Sequence, residues 1–488
     1  MIWKIASAVT VVLAASTAAS AGIFMWLTFA TPNPDTDYVQ VLNDPIETIP
    51  VDQRAWPLWR DVLPKFTRIT HDAKNASYQV HYPARLEDPE QQAAVDAWLA
   101  ENADLLPAIY EAASFPYSGF IYGQPETRAF IAALVRRNGQ PEIDFGDAVD
   151  NRYVPKLMSI LLPAVAEYRD VGRYLVLYAR SRLYEGDFVE AVHALDAARQ
   201  LGIQQIRSYT VVEQVAGVAI VGLAADEWFS MLYYAGPSLP PEAVEAVRDS
   251  GWMLEETEQV GSLSYETERL MFEDVVQYAF TDDGAGNGRL IPWEYQMLVV
   301  SPGSDGATSE LAAVMTAAMH ADRRETVAFY NRAFDAMVNK SRLPLDDPAH
   351  WSIETDYEAL FADPLVARRF KLVQTMLPLL LRADTIMTES NMTRDAARAA
   401  GAITLYMHDF GRYPRSFDEV VPDYLHKPPL DVYANQPLKY KVTGEAGVVL
   451  YSIGGNFQDD GASVEKVAHK YVDRKIHADI VYWPPAGQ

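Results

Sequence analysis

No cysteine occurs in the 488 residues, which removes disulfide staples, thiolate nucleophiles and cysteine-ligated zinc or iron–sulfur centres together. Stability must come from packing, and any metal must be held by oxygen or imidazole. Basic side chains are also scarce: 41 Lys and Arg stand against 66 Asp and Glu, a formal net charge of -25. Such a field repels phosphate backbones and leaves no basic stripe, so no nucleic-acid partner is expected. The Gly-x-Ser-x-Gly elbow, His-Glu-x-x-His, the Walker loop and a dinucleotide glycine fingerprint after a strand are missing too. The enzyme question stays open, leaning against, with an unrecognised hydrolase as one alternative. Strand-like alternation is nearly absent before residue 430. The expected fold is therefore mainly α: an N-terminal transmembrane helix, a large multi-helical body, and a small α+β C-terminal module with an antiparallel hairpin.

One long apolar run is present. From Ile5 to Ala30 there is no charge, and at about 1.5 Å per residue this run can cross a hydrocarbon core of about 30 Å. Trp3 and Trp26 would lie about 34 Å apart on such a helix, one at each water interface. Lys4 precedes the run and Asp35 and Asp37 follow it. The positive-inside bias then puts the N-terminus in the cytoplasm and the bulk outside, as a single-pass membrane protein. A cleaved signal peptide ending at Ala19-Ser20-Ala21 is the competing reading. The apolar residues continue through Gly22-Ile23-Phe24-Met25-Trp26-Leu27, as they would in a retained anchor. The expected divisions are an anchor over 1–30, a Pro/Asp/Asn-rich linker over 31–48, a helical body over 49–385 and a C-terminal module over 386–488.

Helix signals begin in the body. Asp88-Pro89-Glu90 places a cap before a first-turn proline, and Pro240-Pro241-Glu242 repeats that logic. Runs over 154–184, 207–235, 263–280, 308–339 and 365–409 also read as helix. Gln214 to Ala225 carries no charge but is too short to span a bilayer, so it reads as a buried core helix. Leu183-Tyr184-Glu185-Gly186-Asp187-Phe188-Val189-Glu190-Ala191, with Leu195 and Ala198, resembles the second half of a tetratricopeptide hairpin. That resemblance covers about one repeat and implies protein binding; an ordinary αα-hairpin is the plainer alternative.

Asp283 to Glu294 is similar to an EF-hand loop. Asp283, Asn287 and Glu294 would supply side-chain oxygens, Arg289 its carbonyl, and Gly288 the sharp bend. The third and ninth positions are Ala285 and Ile291, so two ligands would fall to water and calcium binding would be weak. A glycine-rich loop with local Asp and Asn turns is the alternative.

The last hundred residues carry the broadest resemblance. An alanine-rich helix ends at Gly411-Arg412-Tyr413-Pro414; Pro429-Leu430-Asp431 leads to Pro437–Lys441, which should pair with Val448–Ser452. Tyr451-Ser452-Ile453-Gly454, Asp459-Asp460-Gly461, Asp479-Ile480 and Trp483 follow in order. This succession, over about 392–483, resembles the C-terminal domain of the major pseudopilin of type II secretion systems. The resemblance implies a structural calcium site among Ser452, Asp459, Asp460 and Asp479. The chain departs from that family by an insertion, Ala462 to His477, and by an N-terminus without the prepilin leader and Gly-Phe-Thr-Leu-x-Glu start. It therefore looks more like single-span bacterial membrane proteins carrying such a tail on a helical body. The expected role is a membrane-anchored extracytoplasmic binding or scaffold protein with a protein partner; the alternative is an accessory component of a secretion or envelope assembly.

Overall fold

The computed structural model describes residues 30–71, 74–75, 81–137, 156–157, 163–254, 265–299, 306–377, 383–443, 447–462 and 479–484. The expected anchor, except for Ala30, lies outside the described residues, as does the insertion beyond Ala462. Mainly helical structure is followed near the C-terminus by small antiparallel sheets.

The segment expected as linker is a helix in its second half, α1 (Tyr38–Glu47). Its polar composition hides an inward face: Asp37 caps the first turn, and Leu42, Asn43 and Ile46 are buried. Asn43 donates to the carbonyl of Tyr122 and accepts from the Tyr122 N–H, each at 2.9 Å. Just upstream, Gln277 accepts from the N–H groups of Asp35 and Thr36 and donates to the Thr36 carbonyl. The chain is thus fastened to the body from residue 35 onward.

The first layer comprises α2 (Trp56–Val62), α3 (Pro89–Glu101), α4 (Leu106–Ala113) and α5 (Pro125–Arg137). α3 starts where its cap requires, with the Asp88 carboxylate accepting from the Glu90 N–H at 2.9 Å. Edge-to-face contacts of Phe66 with Trp98 and Tyr174 pack this layer onto α6 (Pro163–Glu185).

α6, α7 (Phe188–Ile206) and α8 (Val211–Tyr234) fold back on one another. Gly186, at φ 80°, makes the tight turn, and Asp187 caps α7 through the Glu190 N–H. Helix starts at 163 and 211 put 48 residues in one up-down period, longer than the 34 of a tetratricopeptide unit. α7 and α8 touch through their backbones: a Cβ on Gly217 would sit 2.4 Å from the Gly202 carbonyl oxygen and 2.6 Å from the Ile206 nitrogen. α8 is long and apolar enough to cross a membrane, yet two-thirds of its apolar window is buried inside the body. It is the axis of the core, and Gln214–Ala225 is its first half.

Next come α9 (Pro241–Asp249), α10 (Gly251–Leu254), α11 (Glu266–Ala279), α12 (Pro292–Val299), α13 (Gly306–Met319) and α14 (Arg323–Ser341). The single run expected over 308–339 is broken because Asp322 caps a new helix, accepting from the Glu325 N–H at 2.8 Å. The run 365–409 divides likewise into α16 (Pro364–Arg369), α17 (Lys371–Met376) and α18 (Ala383–Phe410), after α15 (Ile353–Leu360). Asp363 caps α16, and Pro364 occupies its first turn. Along α18 the small residues Ala396, Ala397, Ala399 and Ala400 are fully buried. They let it approach α8 closely enough for the Trp228 indole to donate to the Ala397 carbonyl at 3.0 Å.

Beyond α18, β1 (Leu430–Asp431) pairs antiparallel with β2 (Gln436–Pro437). A second sheet has the order β3 (Lys439–Thr443), β4 (Gly447–Ser452), β5 (Ile480–Trp483), all antiparallel. The hairpin forms where its alternation indicates, with Lys439 opposite Tyr451. The tail does not stand free. Trp483 is buried and its indole donates to the Phe229 carbonyl of α8 at 2.9 Å, while Tyr482 lies against the Phe229 ring.

Candidate functional site

The EF-hand-like loop joins α11 to α12 as a short clasp. Phe280 bridges Leu290 antiparallel, Thr281 N–H donates to the Arg289 carbonyl at 2.9 Å, and Ile291 N–H to the Ala279 carbonyl at 2.7 Å. Asp283 accepts from the N–H groups of Ala285 (2.8 Å) and Asn287 (2.9 Å) on one oxygen. Those two bonds, Asn287 foremost, hold its carboxyl below the usual range. Glu294 is half-buried in the first turn of α12, and burial pushes it up to about 7. Gly288 is needed for contact rather than for a bend: a Cβ there would lie 1.5 Å from the Thr281 carbonyl oxygen. The loop carbonyls face cations and helix N–H groups. Arg323 N–H reaches the Gly288 carbonyl and Arg324 N–H the Gly286 carbonyl (2.9 Å each); the Arg324 guanidinium reaches the Ala285 carbonyl, and that of Arg323 pairs with Asp282 at 3.1 Å. The Arg289 carbonyl is therefore engaged with Thr281, and positive charge crowds the loop on the α14 side.

In the tail the four expected ligands divide between two hydrogen-bonded knots. Ser452 donates to Asp431 at 2.8 Å, and the fully buried Asp431 also accepts from Ile453 N–H (2.9 Å) and Tyr433 N–H (3.0 Å). Asp479, nearly buried, binds Asp460 N–H through one oxygen (3.2 Å) and Ala462 N–H through the other (2.6 Å). Asp459 accepts from the Tyr451 hydroxyl at 3.0 Å and lies 3.7 Å from the Lys439 ammonium; that hydroxyl is the main cause of its lowered pKa. Asp460 accepts from the Asn456 amide at 2.8 Å. The structure thus draws Asp459, Asp460 and Asp479 around one turn, with Ser452 facing Asp431. Among the described residues no group of three or more His, Asp or Glu side chains forms a metal-holding cluster. In the first loop one Asp283 oxygen and the Arg289 carbonyl already accept hydrogen bonds, and in the tail both Asp479 oxygens and one oxygen each of Asp459 and Asp460 do, so a calcium ion would have to displace those donors.

The polar groups that sequence reasoning missed lie on α8. Glu227 is fully buried and its carboxylate receives the Arg180 guanidinium at 2.7 and 3.1 Å, the His81 ring at 3.3 Å and the Tyr82 N–H at 3.2 Å. Burial alone would raise its pKa; Arg180 and His81 outweigh that and hold it down to about 2. One turn into the same helix, Glu213 accepts from the Tyr122 and Thr210 hydroxyls, and burial raises its pKa. Glu227 draws together residues 47 and 146 positions away in the sequence, so no local spacing announces the cluster. Two depressions elsewhere have room for about one water each, roughly 10 Å³. Compared with known proteins, the chain matches no family model, no curated protein and no solved structure.

Proposed function

We propose that this chain is a membrane-anchored extracytoplasmic scaffold that binds a protein partner. Its uncharged N-terminal run would be the anchor, and the helical body with its docked tail would be the binding unit. The observation that carries this reading is the docking of the tail on α8 through Trp483 and Tyr482. Docking makes helical body and sheet one platform, and the described buried carboxylates Glu213, Glu227, Asp431 and Asp479 act as clasps of that platform. The turn of Asp459, Asp460 and Asp479 is where calcium would add a further clasp, after displacing the donors now there. An accessory place in a secretion or envelope assembly is the second reading, favoured by the hairpin and Tyr451-Ser452-Ile453-Gly454 in their expected order.

Membrane extraction combined with a topology reporter tests the proposal. The full chain should resist alkaline carbonate, and an export-dependent phosphatase fused after its last residue should be active. Release by carbonate, or a reporter active only inside the cytoplasm, would overturn it.

A further inference from the structure

Four large apolar side chains stand exposed near the α14 side of the clasp loop: Trp293 on α12 (44%), Met315 (55%) and Met319 (44%) on α13, and Leu365 on α16 (73%). α13 packs against both α12 and α16, so the three helices that carry these side chains are neighbours at one corner of the body. Met315 and Met319 are four residues apart and share a helix face. A cluster of this kind on a strongly charged chain marks a contact surface.

The start of the described chain says which surface. Residues 35 and 36 are held by Gln277 of α11, and Tyr38 lies within electrostatic reach of Arg323. Arg323 pairs with Asp282 of the clasp loop that leads into Trp293. One residue before the Asp322 cap, Ala321 N–H donates to the Arg369 carbonyl of α16 at 2.8 Å, joining the end of α13 to the helix that bears Leu365. The described chain therefore begins beside this corner, and the apolar N-terminal run precedes it in sequence. Arg368, exposed and three residues after Leu365, sets a cation beside it that can reach a lipid phosphate.

We propose that the corner bearing Trp293, Met315, Met319 and Leu365 rests on the lipid headgroup surface of the membrane in which the chain is anchored. The inference depends on the anchor reading above and adds a defined orientation to it. With an apolar face set about 5–10 Å into the headgroup region, the body would lean on the bilayer instead of hanging from a flexible tether.

Because the chain has no cysteine, single-site labelling of the full protein is direct. Leu365→Cys, Met319→Cys and, on exposed Val189 of α7, Val189→Cys are each labelled with an environment-sensitive fluorophore. Each is reconstituted into phosphatidylcholine–phosphatidylglycerol vesicles with and without nitroxide-labelled lipid. Insertion of the corner to headgroup depth predicts roughly twofold or greater loss of emission at 365 and 319 and none at 189. Vesicle flotation is scored in parallel. Protein that floats but shows no lipid quenching at 365 and 319 overturns this orientation and leaves the anchor standing. Protein that does not float overturns both. Equal quenching at all three sites, or a spectral shift at 365 that follows protein concentration and ignores the nitroxide lipid, also overturns it; the latter would make the corner an interface between copies.

Discussion

Replacing Glu227 by glutamine keeps the shape of the side chain and removes its charge. The amide can still accept from Tyr82, but the Arg180 guanidinium, itself only 6% exposed, loses its counter-ion. Breaking one side of a buried pair in this way costs about 3–5 kcal/mol. A second route gives a similar figure. A carboxyl held at about 2 in the fold instead of 4.5 contributes about 3 kcal/mol once both states are ionised. The folded value is the lower one, so this stability is fully present above the unfolded pKa and is lost as pH falls from 4.5 through 2. Glu227→Gln cannot titrate there. Urea unfolding of the full chain in mild detergent should therefore separate wild type and variant by about 3 kcal/mol or more from pH 5 to 8. The gap should close progressively at lower pH. A gap under about 1 kcal/mol at pH 7, within the range of an exposed pair, would refute the account. So would a gap that stays constant down to pH 2.5, since the ion pair would then not be its source.

Gly217→Ala should force α7 and α8 apart, because the two nearest atoms met by the new methyl are backbone; a loss of about 3 kcal/mol is expected in the same unfolding assay, and a change within about 0.5 kcal/mol would contradict the contact. Asp431→Ala leaves the Ser452 hydroxyl and two buried N–H groups without an acceptor. It should cost about 3 kcal/mol and expose β1 and β4 to hydrogen exchange, whereas Ser452→Ala should cost about 1 kcal/mol; equal effects would argue against Asp431 as the hub. Millimolar calcium tests the clasp proposed in the tail: binding to the folded chain raises its melting temperature, and Asp459→Asn should abolish the rise. An unchanged melting temperature at millimolar calcium removes the ion from the functional reading.

Local chemistry was legible and distant chemistry was not. Asp88-Pro89-Glu90 marks the start of α3 because a cap acts within one turn, and the strand alternation places the β3–β4 pairing. The linker expectation over 31–48 lost its second half to α1, where Leu42, Asn43 and Ile46 are spaced for a helix face but are outnumbered by Pro and Asp. The run over 308–339 was read as a single helix because Asp322, one polar residue inside it, does not interrupt the helical spacing although it caps a new helix. The EF-hand resemblance rested on residue types at fixed positions. Arg323 and Arg324, which crowd that loop, come from a helix some forty residues later. Asp431 looked like one step of a motif, and only the fold gives it three donors.

If the body is exported as proposed, α8 poses a problem during translocation: it is long and apolar enough to halt in the bilayer. Asp226 and Glu227 follow directly on the uncharged stretch Gln214–Ala225 and cut it to a dozen residues, short of a span. An acidic group at the centre of a would-be spanning helix raises its insertion cost by about 2.5 kcal/mol or more. The carboxylate that later pins Arg180 and His81 in the core thus first serves as a pass through the membrane, keeping the future axis of the fold from becoming a second anchor.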